Sequence, residues 1–286
     1  MYTNRLLYLF IVIAILTACA SQVETPTAMP SATSIPTATL VPTPAITATP
    51  EPWLLVAVGD SIPYSECFGC KGFVERYAKA ITETTGHPVK IQNLAEHNSL
   101  QIDGLLRELK SDTLRREALA NADIIVVGIA HNDAAMNSNV DLCDGVNGDN
   151  PDWSKYNAEC ALASAELFRP KFESVYSQIV ALREGKPTIF RTINRYNDWN
   201  GWPGHDLPSE GVTATKEVID AWNDMICRAA EENGFVCADI YHAFNGSDGL
   251  TPSADLVQAD YTHPSYKGNE LIAQVLVDLG FAPLAP

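Results

Sequence analysis

Short, continuous apolar runs alternate with helix-periodic segments along this chain, and that alternation limits the folds open to it. The runs Leu54–Val58, Val89–Leu94, Asp123–Ile129, Pro187–Ile193 and Phe235–Tyr241 are predicted strands. Between them, Lys71–Thr84 carries Val74, Tyr77, Ala78 and Ile81 at i, i+3, i+4, i+7 spacing, which predicts an amphipathic helix. Further helices are predicted over Ile102–Ala120 (broken near Ser111 and Asp112), Pro170–Arg183, Thr213–Asn233 and Lys267–Leu279. Strands that are apolar throughout must be covered on both faces, and helices between them supply the cover. The expected fold class is therefore α/β, a three-layer α/β/α sandwich around a five-stranded parallel sheet. Such sheets bind ligands beyond the carboxyl ends of their strands.

The first 52 residues read differently. Arg5 precedes the apolar run Leu6–Leu16, which is too short for a spanning helix of about 20 residues but suits the core of a signal peptide. Leu16-Thr17-Ala18-Cys19 resembles a bacterial lipobox, so 1–18 is read as a lipoprotein signal peptide and Cys19 as the lipidation site. Residues 19–52 then form a Thr/Pro-rich tether, because frequent proline blocks both helix and sheet. The folded domain is expected over 53–286, exported and held at a cell membrane or surface by the lipid. Six further cysteines, Cys67, Cys70, Cys143, Cys160, Cys227 and Cys237, suggest disulfides in an oxidising compartment. Local proximity favours pairing each with its neighbour in the chain. A structural zinc at Cys67 and Cys70 is the competing reading, but no second pair completes it. With 35 acidic against 19 basic residues and a net charge of -16, nucleic acid is not an expected partner.

The chemistry sits just after the strands. Gly59-Asp60-Ser61 follows the first, Glu96-His97-Asn98-Ser99 the second and Ala130-His131-Asn132-Asp133 the third, while Asp260-Tyr261-Thr262-His263-Pro264 precedes the last helix. A serine hydroxyl needs an adjacent base to act as a nucleophile, and His263 can serve Ser61. Asp260, three residues earlier, can fix the histidine tautomer and stabilise the imidazolium. Attack on a carbonyl builds an oxyanion, for which the side chain of Asn132 and the backbone N–H groups of Ser61 and Asn98 are candidate donors.

These blocks, in this order, resemble the SGNH/GDSL hydrolase superfamily of esterases, lipases and deacetylases. The resemblance spans about residues 54–279. It implies the flavodoxin-like SGNH hydrolase fold, a catalytic Ser61–His263–Asp260 triad, an oxyanion hole at Ser61, Asn98 and Asn132, and no cofactor or metal. Two positions depart from the pattern: Asn98 and Ala130 stand where the family has glycine. Asn tolerates a left-handed backbone better than most residues, so Asn98 is expected to keep the required conformation. The implied activity is cleavage of carboxylic esters, short acyl or acetyl, on a small molecule or a carbohydrate, through an acyl-enzyme. An O-acyltransferase acting on envelope glycans with the same residues, and a non-catalytic glycan-binding lipoprotein, are the alternatives. A monomer is expected.

Other features compete with this site. Asp239-Ile240-Tyr241-His242 repeats the Asp-x-x-His spacing, but it ends the fifth predicted strand and reads as a structural pair. His97, His131 and His205 lack the spacing of a zinc site. Asn245–Gly249 reads as an ordinary turn rather than a calcium loop. Tyr196, Trp199 and Trp202, in the loop after the fourth strand, are candidates for substrate binding, by stacking on sugar rings or lining an acyl pocket, and equally for packing that loop onto the domain.

Overall fold

The computed structural model describes residues 50–65, 67, 69–135, 142–143, 152–201 and 207–285. The segment expected to be a signal peptide, Cys19, most of the expected tether, Trp202 and His205 lie outside these residues. In chain order the elements are β1 (Trp53–Gly59), α1 (Ser61–Tyr64), α2 (Phe73–Thr85), β2 (Val89–Asn93), α3 (Ile102–Ser111), α4 (Thr113–Asn121), β3 (Ile124–Gly128), α5 (Ala158–Arg183), β4 (Ile189–Ile193), α6 (Ser209–Glu232), β5 (Val236–Ala238), α7 (Ile240–Asn245) and α8 (Tyr266–Asp278). The strands form one parallel sheet in the order β2-β1-β3-β4-β5. Side chains alternate across it. Leu55, Ala57, Ile124 and Val126 pack with α2 and α8, while Val56, Val58, Ile125 and Val127 pack with α3 to α6. Both faces are therefore apolar and covered, as the unbroken strand runs demand. From β1 the chain winds outward to β2, then returns past β1 to β3. The crevice between the ends of β1 and β3 is thus the switch point at which sheets of this order bind ligands.

Two predicted elements differ from those observed. The helix expected from Pro170 begins at Ala158, where the Asn157 side chain caps it by accepting from the Cys160 N–H at 3.0 Å. Pro170 lies inside it on the exposed side. The apolar face runs through the proline unbroken, as Ala161, Ala165, Phe168, Phe172, Val175 and Ile179, all buried. Burying that face against the core outweighs an interior-proline cost of about 3 kcal/mol. The fifth strand stops at Ala238 because Asp239 caps a helix instead, its side chain accepting from the His242 N–H.

The cysteines join Cys67 to Cys70, Cys143 to Cys160 and Cys227 to Cys237, the neighbour pairing that proximity favours. Among the described residues, no helix is long and apolar enough to cross a membrane.

Candidate active site

Close approach of β1 and β3 builds the platform. Gly59 and Gly128 are register partners, and a Cβ on Gly59 would lie 1.7 Å from the Gly128 carbonyl oxygen. Only glycine permits this contact and the φ of +134° that turns the chain into α1. Asp60, wholly buried, then joins three segments. Its Oδ1 accepts from the Ile62 N–H at 2.9 Å, and its Oδ2 accepts from the N–H groups of Ala130 and His131 at 3.1 and 3.2 Å. Burial raises its carboxyl to about 6 against the pull of those three N–H bonds and of Arg195. The role of Asp60 was not read from the sequence; its place in the Gly-Asp-Ser block was the available signal. It fixes Ser61 as the first residue of α1, half-buried at the switch point.

The loop before α8 carries the histidine. Asp260 Oδ1 accepts from the N–H groups of Thr262 and His263 at 3.1 and 3.0 Å, and Oδ2 lies 2.8 Å from His263 Nδ1. The turn needs Tyr261 in the left-handed region at φ 64°. Partial burial pushes the Asp260 carboxyl up, but hydrogen bonds from Thr262 and His263 outweigh it and hold the group below its ordinary value. An ionised Asp260 keeps the proton of His263 on Nδ1 and leaves Nε2 as an acceptor. That Nε2 is buried with no hydrogen-bond partner among the described residues. The His263 ring lies 5.4 Å from the His97 ring, which lies 5.4 Å from Tyr64 in α1. The histidine loop thus adjoins the helix that Ser61 begins.

The oxyanion candidates occupy the neighbouring loops. Asn132 donates from Nδ2 to the Leu100 carbonyl at 3.1 Å and accepts from Gln101 at its own carbonyl. Asn98 is exposed and donates to Glu96, which is in turn ion-paired with the buried Arg115 at 2.8 Å. The left-handed backbone expected of Asn98 belongs to the next residue, Ser99, at φ 58°.

Asp239 and His242 reproduce the local geometry of the other dyad. The Asp239 carboxylate accepts from the His242 N–H at 3.2 Å and approaches His242 Nδ1 at 2.6 Å. Surroundings separate the two pairs. The His242 side chain is 47% exposed and packs on Tyr241, whereas that of His263 is 17% exposed and faces the loops at the switch point. His131 is buried below them, and burial, followed by the charges of Arg195 and His263, holds its imidazole well below the ordinary value and hence neutral.

Of the aromatic candidates, the two among the described residues are not fully exposed. Tyr196 is fully buried, stacked on Phe244 with ring centroids 4.3 Å apart, so it cannot stack on a substrate. Trp199 is half-buried against the core beside α5 and α6. The sequence left open whether these aromatics meet substrate or pack the loop onto the domain, because it does not show which way a loop turns.

Asp133, beside Asn132, is buried, and its Oδ2 accepts from the Ile102 N–H at 2.9 Å at the start of α3. Burial raises its carboxyl to about 7, with the charge of Asp60 adding to the rise against the Ile102 bond. A carboxyl raised on folding contributes stability that is complete below about 4 and lost as pH rises through about 7. Asn cannot ionise but keeps an acceptor for Ile102. The stability of Asp133→Asn relative to the parent chain is therefore expected to rise by a few kcal/mol between pH 5 and 8. Urea unfolding at the two pH values measures it, and an equal difference at both would remove the reading.

A sequence model of the GDSL-like lipase/acylhydrolase family matches residues 57–271, from within β1 into α8. The chain belongs to this family. As a GDSL-like hydrolase, it is a carboxylic ester hydrolase. Solved structures share the fold at low identity. The lipase Lip_vut3 from a goat rumen metagenome has 19% identity and a TM-score of 0.62, covering 81% of this chain and 99% of its own. Phospholipase A1 from Streptomyces albidoflavus has 18% identity and a TM-score of 0.55, covering 80% and 99%. A catalytic mutant of the acetylxylan esterase Axe2 from Geobacillus stearothermophilus has 16% identity and a TM-score of 0.54, covering 80% and 94%. No curated protein matches the chain.

Proposed function

We propose that this GDSL hydrolase cleaves short acyl esters, acetyl groups on carbohydrate above all, through a Ser61–His263–Asp260 triad outside the cytoplasm. The observation that carries the triad is the imidazole of His263, with Nδ1 fixed on Asp260 and Nε2 buried and unpartnered among the described residues. Nε2 takes the proton of the Ser61 hydroxyl as its oxygen attacks the ester carbonyl. The tetrahedral intermediate places its negative oxygen among the N–H groups of Ser61 and Asn98 and the second Nδ2 hydrogen of Asn132. Collapse expels the alcohol, which takes the proton from His263, and leaves an acyl-Ser61. Water, deprotonated by the same Nε2, releases the acid and restores the serine.

The acetylxylan esterase among the structures that share its fold supports the carbohydrate reading. The three disulfides, with the apolar segment and Cys19 at the N-terminus, support export and a lipid anchor. The test compares nitrophenyl esters of increasing chain length with acetylated xylo-oligosaccharides, alongside fluorophosphonate labelling mapped by mass spectrometry. Acetyl is expected to be the best acyl group, with release of acetate from the oligosaccharide and the label on Ser61. Preference for long chains would remove the substrate class, and a label elsewhere would remove the nucleophile.

A further inference from the structure

Tyr196 has no role in the triad as described, yet it is built into the structure with unusual care. It follows β4 by three residues. The residues on either side of it are each held at both backbone N–H and carbonyl. Asn223 of α6 accepts from the Arg195 N–H at 2.8 Å and donates to the Arg195 carbonyl at 2.7 Å. Asn245 of α7 accepts from the Asn197 N–H at 2.8 Å and donates to the Asn197 carbonyl at 3.1 Å. The ring lies between Phe244, stacked at 4.3 Å, and His131, tilted at 4.8 Å. All of this aims one polar atom: the phenol donates to the carbonyl oxygen of Thr262, the residue before His263.

The receiving loop needs such a hold. Its turn passes through Tyr261 in the left-handed region, which a bulky residue enters only when its surroundings compel it. Its other backbone ties are the Tyr261 N–H donating to the Gln258 carbonyl at 2.9 Å within the turn and, beyond the dyad, the Gln258 N–H donating to the His263 carbonyl at 2.8 Å and Val257 bridging Pro264. The Thr262 side chain also bonds Asp198, which lies two residues from Tyr196. Asp260 orients the imidazole within the loop but cannot fix the loop against the sheet, because Asp260 moves with it.

We infer that Tyr196 is the positioning residue of the general base, setting the height of His263 over Ser61 through the Thr262 carbonyl. The inference rests on the triad reading above. Burial raises the phenol well above its ordinary value, with the charges of Asp198 and Asp60 adding to the effect, so the donor stays protonated throughout the working pH range. Reacting atoms must sit within a few tenths of an ångström of their productive separation, and a small displacement of the base lowers the rate of proton transfer without changing how substrate binds.

Tyr196→Phe keeps the ring between Phe244 and His131 and removes only the donor. With nitrophenyl acetate, kcat is expected to fall by about ten- to a hundredfold with KM within twofold, and fluorophosphonate labelling of Ser61 to slow by the same factor. Phe244→Leu disturbs the packing of the ring but leaves the phenol in place. It is expected to lower the unfolding temperature while kcat stays within about threefold. His263→Ala serves as the reference. If that variant is inactive while Tyr196→Phe turns over at the native rate, Tyr196 only packs the core and the inference fails. If Phe244→Leu lowers kcat as far as Tyr196→Phe does, the effect belongs to packing and the inference fails too. If His263→Ala itself stays active, the triad reading fails first and takes the inference with it.

Discussion

Ser61→Ala is expected to lower turnover of a short nitrophenyl ester by about 10⁵- to 10⁶-fold, the scale seen when a triad serine is removed. The loss is this large because the acyl intermediate forms on the Ser61 oxygen, which alanine lacks. The expected result is clean because the platform does not depend on the hydroxyl. Asp60 holds the turn through the backbone N–H groups of Ile62, Ala130 and His131, and all three survive the substitution. Alanine also favours the first turn of a helix as well as serine does within a few tenths of a kcal/mol. Circular dichroism and the unfolding midpoint should match the parent chain, so the rate reports chemistry alone. Turnover within tenfold of the parent would dismiss Ser61 as nucleophile.

The parallel sheet was legible because strands buried on both faces must be apolar at every position, a signal independent of what lies next to them in space. The break between α3 and α4 was legible for a local reason as well: Asp112 caps α4, its carboxylate accepting from the Arg115 N–H at 3.2 Å. Errors arose where two local signals met. Pro170 looked like a helix start because proline is favoured in the first turn, and only the apolar face continuing upstream to Ala161 shows the helix passing through it. In Phe235–Tyr241 the apolar run suggested a strand to its end, but Asp239 inside it is a helix cap, and the cap prevails.

The candidate site divides in the same way. Gly-Asp-Ser, the asparagine block and Asp-x-x-His could be read because each is a local pattern after a strand or before a helix. What supports them is not local. Asp60 reaches 70 residues along the chain to Ala130, and Tyr196 reaches 66 to Thr262. Arg115, in α4, holds Glu96, the loop acceptor for Asn98. No spacing in the sequence encodes those contacts, so a tyrosine that supports the histidine loop looked like one that binds substrate. The conformation of Asn98 was misplaced by one residue for a related reason. Its side chain is drawn to Glu96, and the turn is completed at Ser99.

The two Asp-x-x-His pairs give the sharpest test of how chemistry is assigned. His263→Ala is expected to reduce kcat by about 10⁴-fold or more, and His242→Ala to leave it within about threefold. Local geometry cannot separate them: each aspartate accepts from the histidine N–H three residues on and approaches its Nδ1. The distinction is what Nε2 meets. On His263 that atom is shielded from water and has no partner among the described residues, so its basicity is available to a hydroxyl brought against it. The half-exposed His242 ring lies beside Tyr241, where water can satisfy it, and a base already hydrated gains nothing by position. Truncating such a ring costs little in stability, about 0.5 kcal/mol for a surface change, so His242→Ala should fold and report a rate. Asp260→Asn falls between the two, because the histidine backbone is still held by Gln258 and only the tautomer and the stabilisation of the imidazolium are lost. Measured kcat values in the order His242→Ala, Asp260→Asn, His263→Ala, from fastest to slowest, fit His263 as the base. A loss confined to His242→Ala would move the base to the edge of the sheet and leave Ser61 without a partner.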